Sequence, residues 1–376
     1  MSPIKNILVI TPDYPYKNES VYPFVQNLCE EFARRGYGVT VVAPQSITSS
    51  LIHHNRLRPL RRVDNVEDKE ITVYQPYYLS FSFKYHNINN YLIRFCLKRF
   101  FRKKNISVDI VYCHFWSSAY AILPFAKTNN LPLFVATGES NISNLFSTKY
   151  DLKELRDYVR GVVCVSSKNK KESVQIGLTT EEKCEVFPNA VNSGIFYKRD
   201  RDECRKKLCF PKDDFVVAFV GWFIDRKGPQ RVAAAINQVD GVKSLFIGKG
   251  KIEPQCENIL YKGALPHEEI PLFLNAADVF VLPTQQEGCC NAVIEAMACG
   301  LPVISSNLPF NWDVLDESNS IMVDPNNVDE ISEAIRKLKD DKELRAKLSV
   351  GALKKSKELT IDKRAERILN FMESRV

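Results

Sequence analysis

An α/β fold assembled from βαβ units is what this sequence predicts, and three observations predict it. At the start, the apolar run at residues 5–11, the helical repeat of Val21, Phe24, Val25, Leu28 and Phe32 closed by Gly36, and the apolar run at residues 39–43 read as strand, helix, strand. Towards the other end, residues 278–283 are an apolar run closed by proline. Residues 292–299 are then rich in helix formers and stop at Gly300, and Val303-Ile304-Ser305 opens another strand. Finally, 376 residues, 45% hydrophobic and 26% charged, suit a globular chain with enough length for two domains and their cores.

Composition excludes several classes. No apolar run reaches the roughly 18–20 residues that a membrane-spanning helix needs. The first residues lack the basic start, long apolar centre and small-residue cleavage site of a secretory signal. Eleven cysteines without a CxxC pair suit reduced thiols better than disulfides or a zinc site, so a cytoplasmic protein is expected. The net charge of +7 is uneven. Residues 1–190 hold 25 Lys and Arg against 17 Asp and Glu, and the remainder holds 27 against 28. The first half therefore suits an acidic partner, such as a membrane surface or a phosphate-bearing acceptor. Nucleic acid is not an expected partner.

In the first half, residues 12–19 form a loop, and the helix is expected from Ser20. GxGxxG is absent, which counts against an oxidoreductase. Residues 46–70 read as a polar excursion, with Arg56, Arg58, Arg61 and Arg62 and then acidic residues; a strand is expected at 71–74. Residues 84–104 interleave Leu92, Ile93, Phe95, Leu97, Phe100 and Phe101 with Arg94, Lys98, Arg99, Arg102, Lys103 and Lys104. Such a helix suits an anionic membrane interface, though most amphipathic helices simply pack on a core and keep a solvated basic edge. His114 closes a strand at 109–113, where a cleft would be; a structural histidine is the competing reading. A strand at 133–136 leads to Thr137-Gly138-Glu139, and Glu139 is a candidate acceptor contact or a turn carboxylate. Strands at 162–166 and 184–187 follow, and a domain boundary is placed at residue 190.

The second half opens with a buried strand at 216–220 and Gly221, then Trp222 and the pair Arg226-Lys227 before Gly228-Pro229, where Pro229 suits the first helical position. Basic side chains between a strand and a helix can neutralise a diphosphate leaving group. A solvated charge pair is the alternative. Gly248-Lys249-Gly250 is a weak nucleotide signal. Lys262 lies in a strand at 260–263, and residues 305–313 are expected to offer loop N–H groups to phosphates. The densest stretch is Glu287-Gly288-Cys289-Cys290-Asn291, running into the helix that carries Glu295. A loop between a strand's carboxyl end and a helix N-terminus is a ready anion site. Glu287 and Glu295 can then address different parts of one hydroxyl-rich ligand. Cys289 and Cys290 read as small loop fillers. Helices are expected at 327–341, 342–357 and 361–375.

Glu287, seven residues, Glu295, then Ala-Met-Ala-Cys-Gly-Leu-Pro-Val, resembles the retaining GT-B-type glycosyltransferases of family 4, many of which make bacterial surface polysaccharides. The resemblance implies two Rossmann-like doubly wound domains facing across a cleft. Residues 1–190 would bind acceptor and 191–360 the donor, with the last helix (361–376) crossing back to the first domain. It implies Glu287 and His114 at the donor sugar, and Glu295 on the ribose. Lys227 and the helix start at Asn291 would sit on the departing diphosphate, and Gly221, Trp222, Gly288, Cys289, Cys290 and Lys262 would line the nucleotide. Trp222 stands where many members have Arg, so Arg226 becomes a candidate replacement. Lys17-Asn18-Glu19-Ser20 stands where they have a glycine pair. The implied reaction moves a sugar from a UDP- or GDP-linked donor to a glycan or lipid-diphosphate-linked hydroxyl with retention. No metal and no cofactor are expected. An inactive nucleotide-binding subunit, or a phosphorylase or epimerase of the same fold, remains open.

Overall fold

Runs of Val, Ile, Leu and Phe that lack polar alternation become strands buried on both faces. In the computed structural model, which describes residues 4–17, 22–52, 56–81, 86–142 and 152–376, they form two main sheets, beside a small two-stranded one, in two compact units. One unit is Met1–Phe187 with Arg364–Val376 and the other is Pro188–Lys363.

The first unit contains β1 (Asn6–Ile10), β2 (Gly38–Val42), β3 (Gln45–Ser46), β4 (Arg61–Val66), β5 (Lys69–Tyr74), β6 (Tyr77–Tyr78), β7 (Ile110–His114), β8 (Leu133–Thr137), β9 (Gly161–Cys164) and β10 (Cys184–Val186). Its main sheet runs β10-β9-β8-β7-β1-β2-β5-β4. Neighbours are parallel except β4, which pairs antiparallel with β5. The strand order reverses at β1 and β7, so His114 and the loop after β1 stand at the switch point, where doubly wound sheets bind ligands.

Two local expectations change here. The first helix is Pro23–Arg34, not a helix from Ser20, because Pro23 supplies a preset φ at its start; residues 18–21 lie outside the described residues. The excursion at 46–70 is structured: β3, a helix at Ile47–Ile52 and the β4–β5 hairpin. Its arginines explain why the polar text folds. Arg58 pairs with Asp13, and Arg62 donates to Asp64 (2.9 Å) and stacks over the Tyr14 and Tyr16 rings, so the hairpin grips the loop after β1.

The second unit holds β11 (Phe215–Val220), β12 (Val242–Ile247), β13 (Ile259–Gly263), β14 (Val279–Leu282), β15 (Val303–Ser306) and β16 (Ser320–Val323). They are parallel in the order β13-β12-β11-β14-β15-β16, with the reversal between β11 and β14. Asp278 pins these two central strands. It is 7% exposed; its backbone N–H donates to the Val216 carbonyl and its carboxylate accepts from the Val216 N–H, each at 2.8 Å. The fully buried Arg205 meets the same carboxylate at 2.7 Å and spends its other donors on the carbonyls of Ala276, Lys212 and Asp214. A buried pair so fully hydrogen-bonded escapes most of the penalty of an unpaired charge. The C-terminal helices are Val328–Asp340, Lys342–Ser356 and Ile361–Glu373. In the last, Phe371 packs edge-on against Phe134 and Phe187 of the first unit's core.

Candidate active site

β11 and β14 end side by side at the reversal of the second sheet, and the two loops that leave them bind each other. After β11 the chain passes Gly221, Trp222 and Phe223 and makes one tight turn at Asp225–Lys227. It enters the helix Pro229–Ile236 through Gly228. After β14 it passes Thr284 and Glu287 into the helix Asn291–Ala298. The Glu287 carboxylate oxygen joins the loops: Lys227 Nζ and Arg226 each lie 2.6 Å from it, and the Thr284 hydroxyl donates at 3.0 Å. Arg226 also donates to the Gln286 carbonyl, and its own carbonyl accepts from the Gln285 N–H at 2.9 Å. Asn189 steadies the far side by donating to the Cys289 carbonyl at 3.1 Å.

Two cations share one carboxylate here, so the cluster keeps an uncancelled positive charge. It lies beside the positive end of an eight-residue helix. Burial opposes the charge on Lys227, but the charge and hydrogen bond of the Glu287 carboxylate work against it and the lysine pKa is raised. Cys290 is fully enclosed, and burial raises its pKa against the pull of Lys227 and the Val293 and Ala292 N–H groups, so it is a neutral thiol at pH 7. Gly288 and Cys289 are also buried, and Asn291 Oδ1 is a buried acceptor without a partner among the described residues.

Beneath this cluster the backbone packs too tightly for side chains. A Cβ on Gly248 would stand 1.9 Å from the Gly221 carbonyl oxygen, and one on Gly250 would stand 2.2 Å from that of Phe223. Both glycines have positive φ. Gly248-Lys249-Gly250 therefore serves as a floor that holds residues 221–223 in place. Trp222 is 57% exposed, with the Lys249 ammonium over its ring at 5.6 Å.

Glu295 lies further into its helix and meets a residue that sequence reasoning passed over. His267 Nε2 is 2.9 Å from its carboxylate. Burial disfavours the imidazolium, but the Glu295 hydrogen bond outweighs it and the His267 pKa is raised. Phe196 packs against the ring. The sequence signal was weak: His267 lies beyond the end of β13 at Gly263, whereas His114 is itself the last residue of β7.

The remaining candidates are placed as follows. Lys262, on the edge strand β13, pairs with Glu253 at 2.8 Å rather than joining the cluster. The loop expected to offer N–H groups at 305–313 has spent several of them: Asn307 donates to Val323, Leu308 to Ser306 and Asn311 to Leu308. In the first unit, His114 is 4% exposed among Phe24, Tyr112 and Phe115. Burial, aided by Arg364, lowers its pKa to about 3, so it is a neutral imidazole, and its Nε2 has no partner among the described residues. The Glu139 carboxylate braces its own turn, accepting from Trp116 N–H (2.9 Å), Thr137 (2.7 Å) and Gly138 N–H (2.9 Å). These three bonds use most of the roughly four acceptor positions of a carboxylate.

Residues 23–194 match the family described as Glycosyltransferase Family 4, and residues 200–355 match Glycosyl transferases group 1. With the two doubly wound sheets, these matches identify the chain as a glycosyltransferase of the GT-B type. Among relatives, a glycosyltransferase assigned to teichuronic acid biosynthesis in Bacillus subtilis is 24% identical, with 88% of each chain covered. A GDP-mannose-dependent mannosyltransferase of Corynebacterium glutamicum that acts on a monoacylated phosphatidylinositol mannoside is 27% identical, over 48% of this chain and 55% of its own. Among solved structures, the sucrose-phosphate synthase of Thermosynechococcus elongatus has the same fold (TM-score 0.79, 17% identity, 97% of both chains). So does an Anabaena protein solved with UDP and glucose (TM-score 0.71, 14% identity, 98% of this chain and 100% of that one).

Proposed function

We propose that this chain transfers a sugar, with retention, from a nucleoside diphosphate sugar to a hydroxyl of a glycan or lipid-linked acceptor in surface-polysaccharide synthesis. The observation that carries the proposal is the Arg226–Lys227–Glu287 cluster at the β11/β14 reversal, beside the start of the helix at Asn291. An excess cation next to a helix N-terminus suits a diphosphate, whose charge grows as the glycosidic bond breaks. When the donor binds, its phosphates compete with Glu287 for Lys227 and Arg226, which turns the Glu287 carboxylate towards the sugar hydroxyls. Glu295, oriented by His267, accepts from the ribose hydroxyls. His114 stays neutral, and its buried Nε2, unpartnered among the described residues, meets a sugar hydroxyl once donor binding uncovers it. The acceptor attacks from the face that the diphosphate leaves, and the diphosphate oxygen takes the acceptor proton. A separate general base is then unnecessary, and Lys227 neutralises the diphosphate charge that a metal ion would otherwise neutralise. UDP is the favoured leaving group, with GDP the alternative.

Calorimetric titration of UDP and GDP into wild type and Glu295→Ala tests this. Tight binding of one nucleotide, weakened in the variant, is the expected result. Exposed Trp222, in the place where family members carry Arg, favours a second reading as an inactive subunit. Binding of neither nucleotide would support that reading.

A further inference from the structure

The helix His86–Phe101 is apolar on more sides than a core requires. Cys96, Leu97 and Phe101 face inward and are buried. Yet Phe95 is 59% and Tyr91 70% exposed on the other side, and the ordinary surface helix keeps that side polar. Residues 84 and 85 of the expected segment lie outside the described residues. Neighbouring segments carry the same character to the surface. Thr48, at the start of the helix Ile47–Ile52, is hydrogen-bonded to the backbone of Ser80, which brings exposed Ile52 and Leu79 into one region. Phe81 joins them through its backbone hydrogen bonds to Asn89.

Between these segments runs a groove of about 530 Å³, walled by Ile47, Leu60, Leu79, Leu92 and Phe95. That volume lies within the range of roughly 300–1,000 Å³ typical of small-molecule sites. Arg99, Lys103 and Lys104 stand at its rim. From Ile71 to Val108 the sequence contains Lys84, Arg94, Lys98, Arg99, Arg102, Lys103 and Lys104 and no Asp or Glu. No ion pair to Lys98, Arg99, Arg102, Lys103 or Lys104 occurs among the described residues. The rim is therefore an uncompensated positive edge on an apolar slot.

We propose that this groove takes one hydrocarbon chain of an anionic lipid at a bilayer surface, with Arg99, Lys103 and Lys104 on the lipid phosphate. The charge decides between occupants. A second copy of this chain docked through the same patch would bring a second positive rim into the contact with no acidic residue from 71–108 to offset it. A free phosphate would leave the apolar walls in water. An anionic lipid answers both features, since exposed aromatic and aliphatic side chains enter the acyl boundary while long basic side chains reach the headgroups. The inference is independent of the donor chemistry proposed above, because the groove lies wholly in the first unit.

The test is flotation of the full-length protein with phosphatidylglycerol or phosphatidylcholine vesicles, alongside Phe95→Trp fluorescence with phosphatidylglycerol brominated along its chains. Binding to the acidic vesicles only is expected. Neutralising two rim charges (Lys103→Gln with Lys104→Gln) should weaken it about thirtyfold, at the usual contribution of a basic residue near such a surface. The chain bromines should quench the introduced tryptophan beyond the quenching of wild type. All these side chains are exposed, so UDP or GDP binding should be unchanged in the variants, which separates loss of the lipid site from loss of the donor site. Three results would overturn the proposal. One is equal binding to both vesicles. Another is acidic-vesicle binding without quenching, which would mean charge attraction with an empty groove. The last is sedimentation showing a dimer that Phe95→Asp dissociates.

Discussion

Replacing Lys227 with Met isolates the charge that the proposed mechanism needs. The methionine keeps a hydrocarbon stem beside Gly221, against which the lysine chain packs, and removes only the ammonium. Glu287 retains Arg226 at 2.6 Å and the Thr284 hydroxyl at 3.0 Å, so it is not left as an unpaired buried carboxylate. The fold should lose no more than about 1.5–3 kcal/mol, the contribution of a hydrogen bond to a charged group. The ligand should lose a comparable amount. The cluster falls from two cations around one carboxylate to one, and a charge-assisted hydrogen bond contributes about 1.5–3 kcal/mol. Nucleoside diphosphate binding should therefore weaken by roughly 10- to 150-fold at 1.4 kcal/mol per factor of ten. Turnover should fall by about 10²–10³, the usual effect of removing one preorganised donor from a developing anion. The parent nucleoside, which has no phosphate, should bind both proteins alike. Calorimetry with UDP and uridine, or with GDP and guanosine, reads the difference directly. Equal weakening for diphosphate and nucleoside would refute the argument, since it would mean that Lys227 shapes the pocket rather than meeting the phosphates.

Glu287→Gln should act in the opposite direction on binding. Freed from their shared carboxylate, Arg226 and Lys227 should hold the free nucleoside diphosphate more tightly, by roughly tenfold, while turnover drops at least as far because the sugar loses its acceptor. Calorimetry and initial rates on the same protein check both. His267→Gln should destabilise the protein in a pH-dependent manner. The Glu295 hydrogen bond, opposed by burial, raises the His267 pKa above 6.5, so the pair's contribution is fully present below that value and is lost as pH climbs through the raised one. Thermal melts should show the gap between wild type and variant widest in mild acid and closing in base; a gap that widens with pH contradicts the assignment. Gly248→Ala should cost about 3 kcal/mol or more, because its methyl would stand 1.9 Å from the Gly221 carbonyl and its φ is positive. Urea titration of the variant measures it.

What the sequence determined by itself was whatever local chemistry dictates. Apolar runs such as Phe215–Val220 and Val279–Leu282 could be read as doubly covered strands because no polar alternation interrupts them. The helix ending at Gly300 and the helix starting at Pro229 announced their limits through one residue each. Glu287 and Glu295 were visible because loop and helix lie in one continuous stretch, and the family likeness rests on that same continuity. The hairpin at β4 was not legible: its text is polar, and it folds because Arg58 and Arg62 find Asp13, Tyr14 and Tyr16 some 45 residues earlier. Only the tertiary structure decided which cation serves which carboxylate. Arg226 and Lys227 reach Glu287 from 61 and 60 residues away because β11 and β14 are neighbours in the sheet, and His267 reaches Glu295 across 28. It also decided that Gly248 and Gly250 are a floor, that Lys262 pairs with Glu253, and that His114 is stripped of water and neutral. Hydrogen bonding within a turn follows from neighbours along the chain. Ion pairing, burial and the pKa shifts they cause follow from neighbours in space, which strand order sets and no single stretch of sequence contains.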